Sequence, residues 1–207
     1  IEATRVGWGN IVNTRTNKEV ILAHTGTLLN LASRATKGSG TFVESTTAVP
    51  TATAGGNLWP RMVSTGDTIY AISVTQSTAT AGAAIYQGLN GAVCFSRSKN
   101  AGATWDIVNA IPTGLDATKF LGHGGDSYAI AANGSTVVIV AGDSGKDLVL
   151  CKSTDAGATW TSKVVLKFPI ALWDPATMTT DINADNVPDT VETNDGNLAV
   201  GLDNNNN

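Results

Sequence analysis

The residues best suited by type and spacing to do chemistry lie in one acidic stretch, residues 181–192. Oxygen-bearing side chains stand at positions 1, 3, 5, 9 and 12 of this stretch, and position 7 offers its backbone carbonyl. The set is Asp181, Asn183, Asp185, Val187, Asp189 and Glu192. Alternate residues of a tightly curled chain can point at one hard cation, and Ca²⁺ prefers such oxygen ligands. The spacing therefore predicts a structural calcium site that pins a long connector.

This stretch resembles the calcium loop of EF-hand proteins. Position 6 is normally Gly, and here it is Asn186, a residue that tolerates the left-handed backbone. The flanks are not helical in pattern, so the closer likeness is to the D-x-N-x-D loops of thrombospondin type 3 and dockerin repeats. The alternative is a solvated acidic loop of Asx turns that binds nothing.

A second group of residues has the chemistry to hold a ligand, although its members are dispersed along the chain. They are Trp8, Trp59, Arg61, His123, Asp126 and Trp173. Tryptophan can stack on the apolar face of a sugar ring, and Arg61 or Asp126 can bind hydroxyl or carboxylate groups. The alternative for each residue is packing between neighbouring sheets. His123 lies in a Gly-rich turn without a nearby His or Cys to complete a metal site.

An internal repeat indicates the elements that must position these residues. Two segments, starting 55 residues apart, both read S-x-[DN]-x-G-x-T-W. Their Asn or Asp can cap a hairpin turn, their Gly accepts an unusual backbone conformation, and their Thr and Trp begin the next strand. The repeated positions are Ser98, Asn100, Gly102, Thr104, Trp105 and Ser153, Asp155, Gly157, Thr159, Trp160.

Short strand-like runs flank both segments, so each repeat unit contains four strands. The first two strands meet at a Gly-containing turn, such as Asn133-Gly134, and the last two meet at the repeated turn. The predicted units are residues 1–56, 57–114 and 115–170, followed by a connector at 171–193 and the start of a fourth unit at 194–207.

The repeated turns resemble the Asp-box (BNR) repeats of sialidases and related β-propellers. The resemblance implies an all-β fold of four-stranded antiparallel blades, with the box between the third and fourth strands. The chain would then contain three blades and the start of a fourth, and the remainder of the propeller would belong to the same longer chain. The Asp-rich connector also resembles propellers that Bacteroidetes-type bacteria export to their surface.

In such a blade the long connections lie at the end opposite the boxes, and binding usually occurs on long loops of a rigid scaffold. We therefore expect a secreted or cell-surface module that binds glycan or protein, or is structural, without catalysis. The alternative is part of a sialidase-like glycoside hydrolase. Sialidases bind the substrate carboxylate with three arginines, and the first of these lies in an [FY]-R-I-P motif. The nearest segment here is Trp59-Pro60-Arg61-Met62, in which the Pro precedes the Arg, so no catalytic residue is assigned.

Composition limits the possible partners. The formal net charge is −4 and only 14% of residues are charged, so no basic surface is expected for nucleic acid. No apolar run reaches the roughly 18 residues that a membrane span needs. Cys94 and Cys151 lie in strands of different repeats, which favours two buried thiols, with a disulfide as the alternative.

Overall fold

The strands of the protein form three separate antiparallel sheets. A computed structural model describes residues 6–125 and 127–207, and within them twelve strands form three four-stranded sheets. In each sheet, strands that are consecutive in the chain are neighbours. The first sheet contains β1 (Val6–Asn13), β2 (Glu19–Thr25), β3 (Leu28–Arg34) and β4 (Val43–Ser45). The second contains β5 (Asn57–Thr65), β6 (Thr68–Thr75), β7 (Val93–Ser98) and β8 (Ile107–Ala110). The third contains β9 (Tyr128–Asn133), β10 (Thr136–Ala141), β11 (Leu148–Ser153) and β12 (Thr161–Leu166).

These sheets are blades of a β-propeller. The first strands of successive sheets contact one another, β1 with β5 and β5 with β9, so they line a common axis. The fourth strands lie at the periphery, and β12 is exposed along its whole length. The predicted fold class, an all-β propeller of four-stranded antiparallel blades, is confirmed.

Apolar cores lie between the blades. One core joins blades 1 and 2 through Val20, Leu22 and Ile69, and the other joins blades 2 and 3 through Phe95 and Tyr128. The middle strands β7 and β10 are buried at every position. A strand covered on both faces needs apolar residues or polar groups with hydrogen-bond partners, and β10 is apolar from Val137 to Ala141. The second half of β7 is polar, and Ser96, Arg97 and Ser98 are each hydrogen-bonded there.

The two repeated turns have the same hydrogen bonds. Ser98 Oγ accepts from Gly102 N at 2.9 Å, and Asn100 Oδ1 accepts from Thr104 N at 2.8 Å. In the second turn the corresponding distances are 2.8 Å and 2.9 Å, from Gly157 N to Ser153 Oγ and from Thr159 N to Asp155 Oδ1. The amide oxygen of Asn100 thus accepts the same backbone hydrogen bond as the carboxylate of Asp155, as the sequence predicted.

The second turn also joins blade 3 to blade 2. Gly157 has a φ of 83°, and a Cβ at this position would lie 2.3 Å from the Phe95 ring. Arg97 of blade 2 donates to the Ala156 carbonyl at 2.7 Å. The same guanidinium binds Asp106 at 2.6 Å, and these hydrogen bonds lower the Asp106 pKa to about 2. The Trp160 indole of the same turn packs edge-on against Phe95, with ring centroids 5.0 Å apart. The turn therefore contacts the neighbouring blade through both its backbone and this side chain.

After β12 the described chain contains no further strand. Residues 198–200 run beside Arg61, Met62 and Ala129, which belong to the axial strands β5 and β9. Further on, Lys152 Nζ donates to the Asn206 carbonyl at 2.7 Å. The segment therefore lies beside the axial strands at 198–200 and contacts β11 near the second repeated turn at Asn206. A fourth blade starting at 194–207 stays a prediction.

Both cysteines are buried free thiols, as the sequence favoured. Burial raises the pKa of the Cys94 and Cys151 thiols to about 12, so both are protonated and unreactive at neutral pH. Within the described residues, no helix has the length and apolar character needed to cross a bilayer.

The glycine at the blade interface gives a stability prediction. Gly157→Ala should destabilise the protein by about 2–5 kcal/mol, since a left-handed non-Gly residue costs about 1–2 kcal/mol and overpacking adds about 1–3 kcal/mol. Gly134→Ala is the matched control, because Gly134 also has a positive φ but has no atom within 4 Å of the new Cβ. Urea unfolding of both variants measures the difference. An equal loss of unfolding free energy in the two variants would show that the Phe95 contact does not contribute to stability.

Candidate functional site

Two axial strands carry the same irregularity at their first residues. In β1 the register shifts between Gly7 and Asn10, and in β5 it shifts between Leu58 and Arg61. Trp8 and Trp59 lie inside these two bulges with φ values of 53° and 47°. A left-handed backbone is uncommon for a bulky residue, and a bulge redirects the side chain it contains. The propeller thus turns two tryptophans towards the same axial region.

The bulges bring three rings together, which we name the axial aromatic cluster: Trp8, His24 and Trp59. The ring centroids of Trp8 and Trp59 are 6.1 Å apart, and His24 lies 5.5 Å from Trp8 and 6.4 Å from Trp59. Burial lowers the pKa of His24, which favours its neutral form. Trp8 is 50% exposed, so much of its ring is open to a ligand.

Trp59 is held rigidly between blades. Gly125 lies so close to its indole that a Cβ there would be 2.5 Å from the ring. The Tyr128 hydroxyl of β9 donates to the Trp59 carbonyl at 2.7 Å. Asn10 of β1 donates to the next carbonyl, that of Pro60, at 2.7 Å. The cluster is therefore fixed by contacts from blades 1, 2 and 3.

A charged cleft, the axial cleft, adjoins Trp59 at Gly125. It has a volume of about 370 Å³ and is lined by Arg61, Gly125, Asp143, Asp195, Gly196 and Asn197. One guanidinium, two carboxylates and an amide thus face one space. Gly124 and Gly196 flank Asp143 closely, since Cβ atoms there would lie 2.8 Å and 3.2 Å from its carboxylate oxygens. The glycines leave room for this carboxylate at the cleft wall.

The connector after β12 completes the axial cleft. Near its start, Trp173 covers Gly145, where a Cβ would lie 2.3 Å from the indole. Near its end, Thr193 Oγ1 accepts from Gly145 N at 2.9 Å, and Asn194 Nδ2 donates to the Asp143 carbonyl at 3.3 Å. Both ends of the connector therefore bind the turn between β10 and β11, which places the following residue, Asp195, in the same cleft as Asp143.

A second space, the peripheral cleft, shares Asp143 with the axial cleft. It has a volume of about 430 Å³, and its lining includes His123, Lys146 and Trp173. The Lys146 Nζ lies 3.3 Å from Asp143 Oδ2. His123 is buried against Phe120, with ring centroids 4.4 Å apart. Burial, assisted by Lys146 and opposed by Asp143, lowers the His123 pKa to about 3, so this imidazole is neutral.

The acidic loop is curled as its sequence suggested. The Asp181 carboxylate accepts from Asp185 N at 3.1 Å and from Asn186 N at 2.8 Å, and Asp185 Oδ1 accepts from Val187 N at 2.8 Å. Asn186 has a φ of 68°, the left-handed conformation expected at that position. Nevertheless, no three His, Cys, Asp or Glu residues of the described chain are grouped in a way that could hold a metal. Calcium binding stays a prediction.

The structure divides the ligand residues predicted from sequence into two groups. Arg61 lines the axial cleft, Trp59 adjoins it at Gly125, and Trp8 contacts Trp59. By contrast, His123 and Trp173 line the peripheral cleft. Asp126 lies outside the described residues. The sequence reasoning missed His24, Asp143, Lys146, Asp195 and Asn197. Two turn sequences could have indicated Asp143 and Asp195, because both turns lie at the same end of the blades. They are Gly-Asp-Ser-Gly after β10 and Asn-Asp-Gly after the connector.

Comparison with known proteins finds matches among solved structures. No family model matches it, and no curated protein matches it. A solved structure of Cellvibrio cellulosa alpha-L-arabinanase is 13% identical, with a TM-score of 0.45, and the match covers 80% of this chain and 54% of the arabinanase. GH43B of the Bacteroides ovatus xyloglucan PUL is 12% identical, with a TM-score of 0.35, and the match covers 88% of this chain and 44% of that protein. A mutant of the GH43 protein BlXynB from Bacillus licheniformis is 10% identical, with a TM-score of 0.32, and the match covers 83% of this chain and 44% of that protein. The chain spans about half the length of these proteins, and likeness at this level carries no information on activity.

The buried neutral histidine predicts a pH-dependent stability. Because the folded pKa of His123 is about 3 and the ordinary value is 6.5, the unfolded chain binds more protons between these pH values. The free energy of unfolding should therefore fall as pH drops from 6.5, by an amount on the order of a few kcal/mol. His123→Asn should flatten this dependence in urea titrations at pH 4 to 7. His24→Asn, which removes the other described histidine, should flatten it less, and the reverse order would contradict the assignment.

Proposed function

We propose that this propeller binds a saccharide at the axial aromatic cluster and the axial cleft, without catalysing its hydrolysis. The observation that carries the proposal is the half-exposed Trp8, which the β1 bulge holds edge-on to Trp59. A rigid exposed indole offers an apolar face at little entropic cost, since it is ordered before binding. Sugar rings present matching apolar C–H faces.

The neighbouring polar groups suit the hydroxyls of such a ligand. Arg61 can donate hydrogen bonds, the carboxylates of Asp143 and Asp195 can accept them, and Asn197 can do both. The cleft volume of about 370 Å³ lies within the range of small-molecule sites. We propose a bacterial secreted or cell-surface location. We also propose that further blades of the same longer chain close the ring, because closed propellers have typically four to eight blades.

A tryptophan substitution tests this function. Trp8→Ala should weaken binding about fivefold or more to whichever member of an immobilised panel binds the wild type, since truncating an aromatic anchor costs more than about 1 kcal/mol. The panel holds neutral, uronate-containing, sialylated and sulfated oligosaccharides. Ile11→Ala is the control, because Ile11 is also exposed on β1 and lies outside the cluster. Absence of binding to the whole panel would favour a protein-binding or structural module.

One observation favours a second candidate, a glycoside hydrolase. Asp143 and Asp195 line the same cleft, and paired carboxylates are the usual catalysts of glycoside hydrolysis. A sialidase-like enzyme would also need further arginines. Among the described residues, Arg15, Arg34 and Arg97 pair with carboxylates at the other end of the blades. Turnover of a fluorogenic sialoside or other aryl glycoside, lost in Asp143→Asn, would favour the enzyme over the binding module.

We also propose that Ca²⁺ binds the loop at 181–192 and stabilises the connector. Calcium should raise the melting temperature of the wild type by several degrees, because binding to the folded state alone stabilises it by mass action. Asp185→Ala removes a ligand and should abolish this rise, with little change in calcium-free buffer. Asp203→Ala, which removes an acidic side chain from the tail, should keep the full rise in melting temperature with calcium. A response that survives in Asp185→Ala would refute the site.

A further inference from the structure

The three clefts of this end of the propeller are contiguous. The axial and peripheral clefts share Asp143, and the peripheral cleft shares Leu121, Lys146 and Trp173 with a third cleft. The third cleft is also lined by Lys119 and Lys167. A ligand longer than one sugar unit could therefore extend from the axis, past Asp143 and Trp173, to the edge of blade 3.

The third cleft, which we name the lysine pocket, has a charge opposite to that of the chain. Its lining includes Lys119, Lys146 and Lys167 but only one carboxylate, Asp147. By contrast the whole chain has 13 basic and 17 acidic residues. A local excess of ammonium groups in an acidic protein raises the local concentration of anions.

The existing ion pairs leave one of these ammonium groups unneutralised. Lys167 Nζ lies 2.8 Å from Asp147, and Lys146 Nζ lies 3.3 Å from Asp143, which is outside the pocket. No carboxylate of the described residues lies within ion-pair distance of Lys119. An incoming anion would thus meet one unpaired cation and two further ammonium groups that can share it.

The sizes of the clefts indicate which part of a ligand each could hold. The lysine pocket has a volume of about 110 Å³, roughly four times the volume of a water molecule in the liquid, which suits a single charged substituent. The peripheral cleft, at about 430 Å³, is large enough for a sugar ring. Trp173 lines both, so a sugar ring in the peripheral cleft and its substituent in the lysine pocket could contact the same indole.

We propose that the lysine pocket binds the anionic group of an acidic oligosaccharide, a uronate carboxylate or a sulfate ester, whose chain continues to the axial cleft. This inference rests on the proposed function and adds to it a charge and a minimum length. Affinity should therefore rise with chain length and fall with added salt, because exposed ion pairs are screened.

The test measures binding of three hexasaccharides and one monosaccharide to the intact chain by calorimetry. The probes are hexagalacturonate, a sulfated carrageenan hexamer, neutral xylohexaose and galacturonate itself. One or both anionic hexamers should bind more tightly than the neutral hexamer and the monomer, and comparing the two identifies the preferred anion. Lys119→Gln should weaken the preferred anionic hexamer about twofold to fivefold and leave the neutral hexamer unchanged.

The controls separate this inference from the function beneath it. Lys163→Gln removes an equal charge from the exposed strand β12 and should leave every affinity unchanged. Trp173→Ala should weaken both kinds of hexamer. If the neutral hexamer binds as tightly as the anionic ones, or Lys119→Gln has no more effect than Lys163→Gln, the lysine pocket is refuted and the axial site stands. If no saccharide binds, both proposals are overturned.

Discussion

The contact between the Gly157 backbone and the Phe95 ring is the interaction on which the arrangement of blades 2 and 3 depends. A side chain at residue 157 would occupy the space of the ring, so the two blades approach only because this turn residue has no Cβ. Arg97 fixes the same approach through the Ala156 carbonyl while its charge is balanced by Asp106. Blade 1 contacts the first turn similarly, through Lys18 and the Ala101 carbonyl at 3.0 Å. Backbone groups of a repeated turn thus set the spacing of the sheets.

Packing at that end leaves the opposite end free for binding groups. There β1 and β5 begin with bulges, and the connections between blades and between β6 and β7 are long. Trp8 and Trp59 turn inward from the bulges, while Asp143 and Asp195 enter from loops that glycines allow to lie close together. The rigid sheets therefore determine where the site lies, and irregular backbone determines which side chains it contains. Such a division is common in scaffolds that carry their function on loops.

Much of the fold could be predicted because its signals are local. Ser98 and Asn100 cap a turn within seven residues, and the same is true of Ser153 and Asp155. The left-handed conformation of Asn186 also followed from its place in the acidic loop. His24 and Asp195 were not found, because neither belongs to a local motif. They become relevant only when β2 and the connector bring them next to residues that are distant in the chain.

The sequence by itself determined the four-stranded unit, its turns, the two buried thiols and the end of each blade at which long connections occur. These features depend on residues a few positions apart, whose hydrogen bonds and side-chain periodicity are set by the backbone. Only the tertiary structure decided that Trp8 contacts His24 and Trp59, that Asp143 and Asp195 share a cleft, and that three lysines line one pocket. Those contacts join different blades and a connector, and their geometry depends on how closely whole sheets pack.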